Sequence, residues 1–210
     1  LYAELLNEST DEQAPERRHL DVIISESQRL SRLITNVLTF ARQARQEVSL
    51  HPSAGSVDDA VRQAIEHVQP SLQRQGIVVE FSAGASRTVL FDADALEQIL
   101  GNLFSNVEKY AASSETVRLV TEQDQATTTI ALSDQGAGIP SAERESVFEP
   151  FVRLSNKLSD GVTGAGIGLS IARKLARSHG GDLAIVDSDV GTSFVLTLHT
   201  PSESVVSNVT

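Results

Sequence analysis

Several residue types and patterns are missing from this chain of 210 residues, and each absence excludes a class of protein. Cysteine is absent, which excludes disulfides and zinc–thiolate sites and is compatible with a reducing cytosol. No apolar run approaches the ~18 residues that a membrane-spanning helix needs, so we expect no span. Basic residues are few, and the net charge of −11 argues against binding to nucleic acid, which requires clustered Lys and Arg.

Methionine is also absent, including at position 1, which is Leu1. We therefore expect the natural start to lie upstream and interpret the chain as a fragment. The apolar content of 40% is ordinary for a globular protein.

The segment 16–47 has the apolar spacing of a helix in a bundle. Spacings of three and four alternate over Leu20, Ile23, Ser27, Leu30, Ile34, Val37 and Ala41. Leu33, Leu38 and Phe40 widen the stripe, as in a four-helix bundle. We expect a partial helical hairpin over 1–47 that a second copy of the chain completes as a homodimer. The alternative is an amphipathic helix packed on its own domain.

Beyond Val48 the pattern changes to that of an α+β layer sandwich, with mostly antiparallel strands and helices on one face of the sheet. Strands are predicted over 48–52, 76–83, 88–92, 116–123, 126–134, 182–187 and 192–199, with a hairpin turn at Asp124–Gln125. Helices are predicted over 56–73, 92–112, 141–147 and after Gly168, with Ser56 as a cap and Pro70 as a kink or end. The sandwich spans 48–200, and 201–210 is a flexible polar tail.

The helix after Asp92 carries an unusual polar stripe. Asn102 and Asn106 are four residues apart and project from one face, with Lys109 and Tyr110 one turn further along. Amide oxygens suit Mg²⁺ when phosphate oxygens and waters complete the shell, and a lysine neutralises phosphate charge. The alternative is the solvated edge of a helix that faces the core.

Two glycine-rich turns follow. In SDQGAGIP, Asp134 ends an apolar strand and can accept a hydrogen bond from an exocyclic amine, while the glycines admit a flat ring. In VTGAGIGL, glycines lead into a helix whose unpaired N–H groups suit a phosphate. Each motif alone is equally compatible with a plain steric turn.

The order of the motifs resolves this ambiguity. NxxxNxxKY, DxGxGIP, FEPFVRL (148–154) and GAGIGL occur in sequence, and this set resembles the N, G1, F and G2 boxes of sensor histidine kinases. These kinases share an ATP-binding domain with gyrase-type ATPases and Hsp90 chaperones. The resemblance spans 48–199, and the preceding heptad helix resembles the second helix of the kinases' dimerisation and phosphotransfer hairpin.

The resemblance implies ATP and Mg²⁺ as ligands and a role for each matching residue. Asn106 would hold Mg²⁺ against the phosphates, and Asn102 would assist it. Lys109 and Tyr110 would contact the phosphate and sugar. Asp134 would bind the adenine amine.

The remaining matches would complete the ATP site. Arg153 would be a candidate for the γ-phosphate, the stretch from Arg153 to Thr163 would form a mobile lid, and Thr192 would lie near the adenine. The turns would supply Gly136, Gly138, Ile139, Gly164, Ala165, Gly166, Ile167, Gly168 and Leu169.

One departure from the family concerns the phosphoacceptor histidine, which would precede Leu1 by resemblance. None of His19, His51, His67, His179 and His199 replaces it, and His179 is expected to be a cation suited to a helix end. We therefore expect this fragment to bind nucleotide without phosphorylating itself. The resemblance implies a response-regulator receiver domain as partner, a cytoplasmic location and membrane attachment only through the missing N-terminal part.

Two alternatives stay open at this point. A superfamily ATPase would use a carboxylate near the first asparagine as general base, and Glu97 and Gln98 lie about one turn before Asn102. A nucleotide-free dimerisation module would use the helical bundle alone.

Overall fold

The structure, a computed structural model, describes residues 49–111, 114–153 and 166–202. The predicted hairpin over 1–47 lies outside these residues, as do Gly164, Ala165 and most of the predicted lid. The strands are β1 Ser53–Ser56, β2 Val78–Ser82, β3 Thr88–Phe91, β4 Thr116–Asp124, β5 Thr127–Ser133, β6 Asp182–Val186 and β7 Ser193–His199. The helices are α1 Val57–Arg74, α2 Ala93–Tyr110 and α3 Gly168–Ser178.

The described residues confirm the α+β prediction. Five strands form a mixed sheet in the order β2-β4-β5-β7-β6, in which only the β2–β4 pair is parallel. A small antiparallel sheet pairs β1 with β3. Burial alternates along β4 and β5, so one face of the larger sheet packs against the three helices in a single hydrophobic core.

Helix α2 matters most for the site, and its sequence explains its position. Its predicted apolar stripe is buried as expected, over Leu96, Ile99, Leu100, Leu103, Phe104 and Val107. Asp92 caps the helix, since its Oδ1 accepts a hydrogen bond from the backbone N–H of Ala95 at 2.9 Å. The core therefore fixes the rotation of α2, and the polar stripe turns away from the apolar interior.

Helix α1 begins where the sequence predicts, because the Ser56 hydroxyl accepts from the Asp59 N–H at 3.4 Å. Pro70 does not end it, and the helix continues to Arg74. The last turn places Leu72 fully in the core, and the Leu72 carbonyl accepts from the Ile77 N–H at 3.0 Å. The free energy gained by burying Leu72 offsets the loss of the helical hydrogen bond that Pro70 cannot donate.

The strand predicted over 48–52 is wrong, since residues 49–52 are not in a strand and β1 begins at Ser53. The His51 N–H is engaged elsewhere and donates to Asp92 Oδ2 at 2.7 Å. The strand that pairs with β3 is instead Ser53–Ser56 (SAGS), in which Gly55 leaves room for the Phe91 ring. A Cβ at Gly55 would lie 3.3 Å from that ring, so close packing outweighs the low strand propensity of these residues.

The helix predicted over 141–147 is also wrong, because this stretch forms two 3₁₀ turns, Ser141–Glu143 and Ser146–Phe148. The Ser146 hydroxyl donates to the Glu143 carbonyl at 3.0 Å and competes with a continuous helical ladder. The hairpin turn between β4 and β5 lies one residue later than predicted, at Gln125–Ala126.

The end of the chain is attached to the sandwich where it is described. The Pro201 carbonyl accepts from the Leu90 N–H at 2.9 Å, which joins the start of the predicted tail to β3. Residues 203–210 lie outside the described ranges. Within the part of the chain that the structure describes, no helix combines the length and hydropathy needed to cross a membrane.

Candidate functional site

A cavity of about 290 Å³ opens between α2, the loop after β5 and the start of α3. It brings together residues from all four sequence motifs. The predicted residues that line it are Asn102, Asn106, Lys109, Tyr110, Asp134, Gly138, Ile139, Arg153, Gly166, Gly168, Leu169 and Thr192.

Asn106 presents an unsatisfied polar atom at this cavity. Its Nδ2 is buried and, among the described residues, is the only buried side-chain nitrogen or oxygen without a hydrogen-bond partner. A buried amide nitrogen without an acceptor costs roughly 1–3 kcal/mol. The arrangement therefore favours a ligand that supplies the missing acceptor, as a phosphate oxygen does.

Lys109 adds positive charge to the same wall. Its Nζ donates to Ser105 Oγ at 2.7 Å. Burial lowers the pKa of Lys109, and the neighbouring Arg153 lowers it further, while Glu108 opposes the shift. Two cations held close together in a partly desolvated wall favour an anion between or beside them.

Asp134 is buried and held rigidly by backbone groups. Its Oδ1 accepts from the N–H groups of Gly136 at 2.8 Å and Thr192 at 3.1 Å. The Asp134 N–H donates in turn to the Thr192 carbonyl at 2.9 Å. Only glycine fits at position 191, because a Cβ there would lie 2.0 Å from the Asp134 carbonyl oxygen and would clash with it. Among the described residues nothing donates to Oδ2, so this oxygen can accept from a ligand.

The start of α3 supplies backbone donors. No side chain caps this helix at Ile167, and Gly168 and Leu169 line the cavity. Gly166 has a φ of +69° and accepts from the Phe151 N–H at 2.8 Å, which fixes the turn before the helix. Uncapped N–H groups and the helix dipole together favour an anion at this position.

A family model described as histidine kinase-, DNA gyrase B- and HSP90-like ATPases matches residues 91–202, more than half of the chain. The chain belongs to this family. The adaptive-response sensory kinase SasA of Synechococcus sp. (strain JA-2-3B'a(2-13)) is 32% identical over 196 residues, which cover 91% of this chain and 51% of SasA. The resemblance found in the sequence is thereby confirmed.

Two solved structures have the same fold. Full-length ShkA in complex with AMPPNP aligns with a TM-score of 0.70 and 26% identity, over 94% of this chain and 41% of that chain. The histidine kinase ThkA in complex with the response regulator protein TrrA aligns with a TM-score of 0.68 and 19% identity, over 94% and 55% of the two chains. The described residues contain the domain of this ATPase family, and the chain spans about half the length of SasA.

Two predicted residues of this ATPase-family site do not line the cavity. Gly136 packs against the end of α2, where a Cβ would lie 2.9 Å from the Tyr110 carbonyl oxygen. Ile167 is buried beside the turn before α3. Both position the cavity wall rather than form it.

Sequence reasoning missed five residues that line the cavity: Ser105, Ala137, Val147, Val152 and Phe194. Ala137 and Val152 lie within the SDQGAGIP and FEPFVRL motifs, whereas Val147 and Phe194 have no sequence signal that distinguishes them from the core. Ser105 does have one, because it precedes Lys109 by one helical turn on the polar stripe.

Glu97 is the general base that the sequence offers for a family ATPase, and the structure places it outside the cavity. This side chain is half-exposed, does not line the cavity and contacts His67 Nδ1 through Oε1 at 2.7 Å. Asp134 is the only carboxylate among the described residues that line the cavity.

None of the histidines in the described ranges lines the cavity. His179 lies at the end of α3, where the sequence places it. It is buried, its Nδ1 bonds the Leu175 carbonyl at 3.0 Å, and its Nε2 accepts from the Asp92 N–H at 3.2 Å. Acceptance at Nε2 places the ring proton on Nδ1, so His179 links the end of α3 to the cap of α2.

Proposed function

We propose that this region binds ATP and that the full-length protein transfers its γ-phosphoryl group to a histidine and then to an aspartate of a response-regulator receiver domain. One observation carries the proposal. A single cavity combines a fixed carboxylate that can accept from a base with two cations and uncapped helical N–H groups that suit phosphates.

The base and phosphates would meet different residues of this cavity. Asp134 would accept a hydrogen bond from the exocyclic amine of adenine through Oδ2, while Gly138, Ile139 and Thr192 form the surrounding wall. Lys109 and Arg153 would neutralise phosphate charge, and the N–H groups at Gly168 and Leu169 would donate to phosphate oxygens. Tyr110 would contact the sugar and phosphate end.

A divalent cation fits the donor set at Asn106. The described residues contain no group of three or more His, Cys, Asp or Glu side chains that could hold a metal ion by themselves. Asn106, assisted by Asn102, would therefore hold Mg²⁺ together with phosphate oxygens and waters. Mg²⁺ bound there supplies charge neutralisation for the triphosphate.

Phosphoryl transfer depends mainly on positioning and electrostatic stabilisation. The site therefore needs no nucleophile of its own, because the acceptor histidine supplies it. The cations and backbone donors would orient the triphosphate, and the position of Glu97 outside the cavity disfavours attack by water.

The decisive test uses the full-length protein and ATP labelled at the γ-phosphate. We expect label that is stable to base and labile to acid, and that a receiver domain then accepts. Asn106→Ala should abolish labelling, whereas Asn208→Ala, in the polar tail predicted over 201–210, serves as the matched control. Release of inorganic phosphate without a phosphoprotein would instead favour the hydrolytic ATPase.

We further propose that the heptad segment over 16–47 completes a homodimeric hairpin and that the ATP site faces the cytoplasm, where ATP is available. The support is the apolar seam in the sequence. Sedimentation of the intact chain tests the dimer, with Leu30→Asp expected to yield monomers. A monomeric wild-type chain would contradict it.

A further inference from the structure

Ser105 lies on α2 and lines the cavity, and its hydroxyl has a different hydrogen-bond partner from that of a typical helical serine. Its only described hydrogen bond is the one in which Oγ accepts from Lys109 Nζ at 2.7 Å. Serines within helices commonly donate to a backbone carbonyl one turn earlier. Ser178 does so on α3, where its hydroxyl donates to the Lys174 carbonyl at 3.0 Å. Ser105 thus binds a side chain where Ser178 binds the backbone.

Lys109 has physical reasons to leave the cavity wall. Its ammonium is partly desolvated, the charge of Glu108 attracts it, and the charge of Arg153 repels it. A lysine side chain is long and flexible, and it commonly extends so that the ammonium reaches water. Holding the ammonium at the cavity in one orientation therefore needs a directional partner, and the Ser105 hydroxyl is the hydrogen-bond acceptor that the structure provides.

We propose that Ser105 is a positioning residue that holds the Lys109 ammonium in the phosphate-binding part of the cavity before nucleotide arrives. This inference rests on the proposed function, since it assigns phosphate recognition to Lys109. Ser105 would act through Lys109 and would not contact the adenine. Its contribution should therefore depend on the phosphates of the ligand and on the presence of the lysine.

The test compares ADP with adenosine in titrations followed by NMR, which detects the weak binding expected of adenosine. Ser105→Ala should weaken ADP binding about three- to tenfold, the range for one hydrogen bond, and leave adenosine binding unchanged. Ser178→Ala is the matched control, because it removes a helical serine hydroxyl outside the cavity, and it should change neither affinity.

A double-mutant cycle separates positioning from a general effect on α2. In a Lys109→Ala background, Ser105→Ala should cause no further loss of ADP affinity. An equal loss for ADP and adenosine, no loss for ADP, or a further loss in the Lys109→Ala background would each overturn the inference.

The failure of the proposed function is distinguishable from these outcomes. A wild-type chain that binds ADP no more tightly than adenosine would overturn both the phosphate site and the role of Ser105. A clear preference for ADP that Ser105→Ala does not reduce would overturn the role of Ser105 alone.

Discussion

Replacement of Asp134 by asparagine is the substitution that isolates adenine recognition. The asparagine keeps an oxygen in the place of Oδ1, so the N–H groups of Gly136 and Thr192 keep their acceptor. It replaces Oδ2 with an amide nitrogen, which donates and cannot accept from the adenine amine. Asp134→Ala is a poorer probe, because it leaves two buried N–H groups without an acceptor and destabilises the fold.

The expected magnitude follows from that single exchange. A hydrogen bond to a charged acceptor contributes about 1.5–3 kcal/mol, so its loss should weaken ADP about 10- to 150-fold. The loss should not extend to purine riboside diphosphate, which lacks the exocyclic amine. For wild-type protein we therefore expect a preference for ADP over this analogue, and for Asp134→Asn we expect that preference to disappear.

Calorimetric titration with both ligands measures this preference directly. Asp59→Asn is the matched control, since Asp59 is exposed at the start of α1 and pairs with Arg62 far from the cavity lining. An unchanged affinity for ADP in Asp134→Asn, or equal losses for ADP and the analogue, would show that Asp134 does not bind the adenine amine.

Three further predictions concern stability and the phosphate turn. Gly101→Ala should raise the free energy of unfolding in urea by about 0.5–1 kcal/mol, because this exposed glycine lies within α2 and a Cβ there meets nothing within 4 Å; a loss of stability would contradict it. Gly166→Ala forces a side chain into a φ of +69° with a Cβ 2.9 Å from a backbone carbonyl oxygen, so ATP binding should weaken more than adenosine binding. Gly76→Ala, at a φ of +76° in open space, should strain the fold and leave both affinities unchanged, and equal losses in Gly166→Ala would refute its placement at the phosphates. Hydrogen bonds from Arg173 hold the pKa of Asp182 well below its usual range, so the stability it contributes is present above the unfolded pKa near 4 and is lost as pH falls toward the folded value; the deficit of Asp182→Asn in urea unfolding should be largest at neutral pH and shrink in acid, and a deficit independent of pH would count against the ion pair.

The parts of the fold that could be predicted from sequence are those whose signal is local. Helix α2 has a regular apolar stripe and a capping aspartate within its own sequence, so its existence and its buried face follow directly. Strand β1 has no such signal, because SAGS is selected by pairing with β3 about 35 residues away along the chain. Local propensity cannot reveal a pairing of that kind.

The site divides in the same way. Motif spacing identifies Asn106, Lys109 and Asp134, since their residue types and order indicate nucleotide chemistry. The bond between Asp134 and the Thr192 N–H joins residues 58 positions apart and appears only in the folded chain. Val147 and Phe194 line the cavity with apolar side chains that the sequence cannot distinguish from core residues. Spacing therefore predicts the polar groups of the site better than its walls.

A crystal structure of the chain with AMPPNP and Mg²⁺ would show directly where the nucleotide binds. We expect the adenine amine within hydrogen-bond distance of the Asp134 carboxylate, and the phosphates between Lys109 and the N–H groups at Gly168. A nucleotide bound outside this cavity, or an adenine that does not contact Asp134, would contradict this expectation.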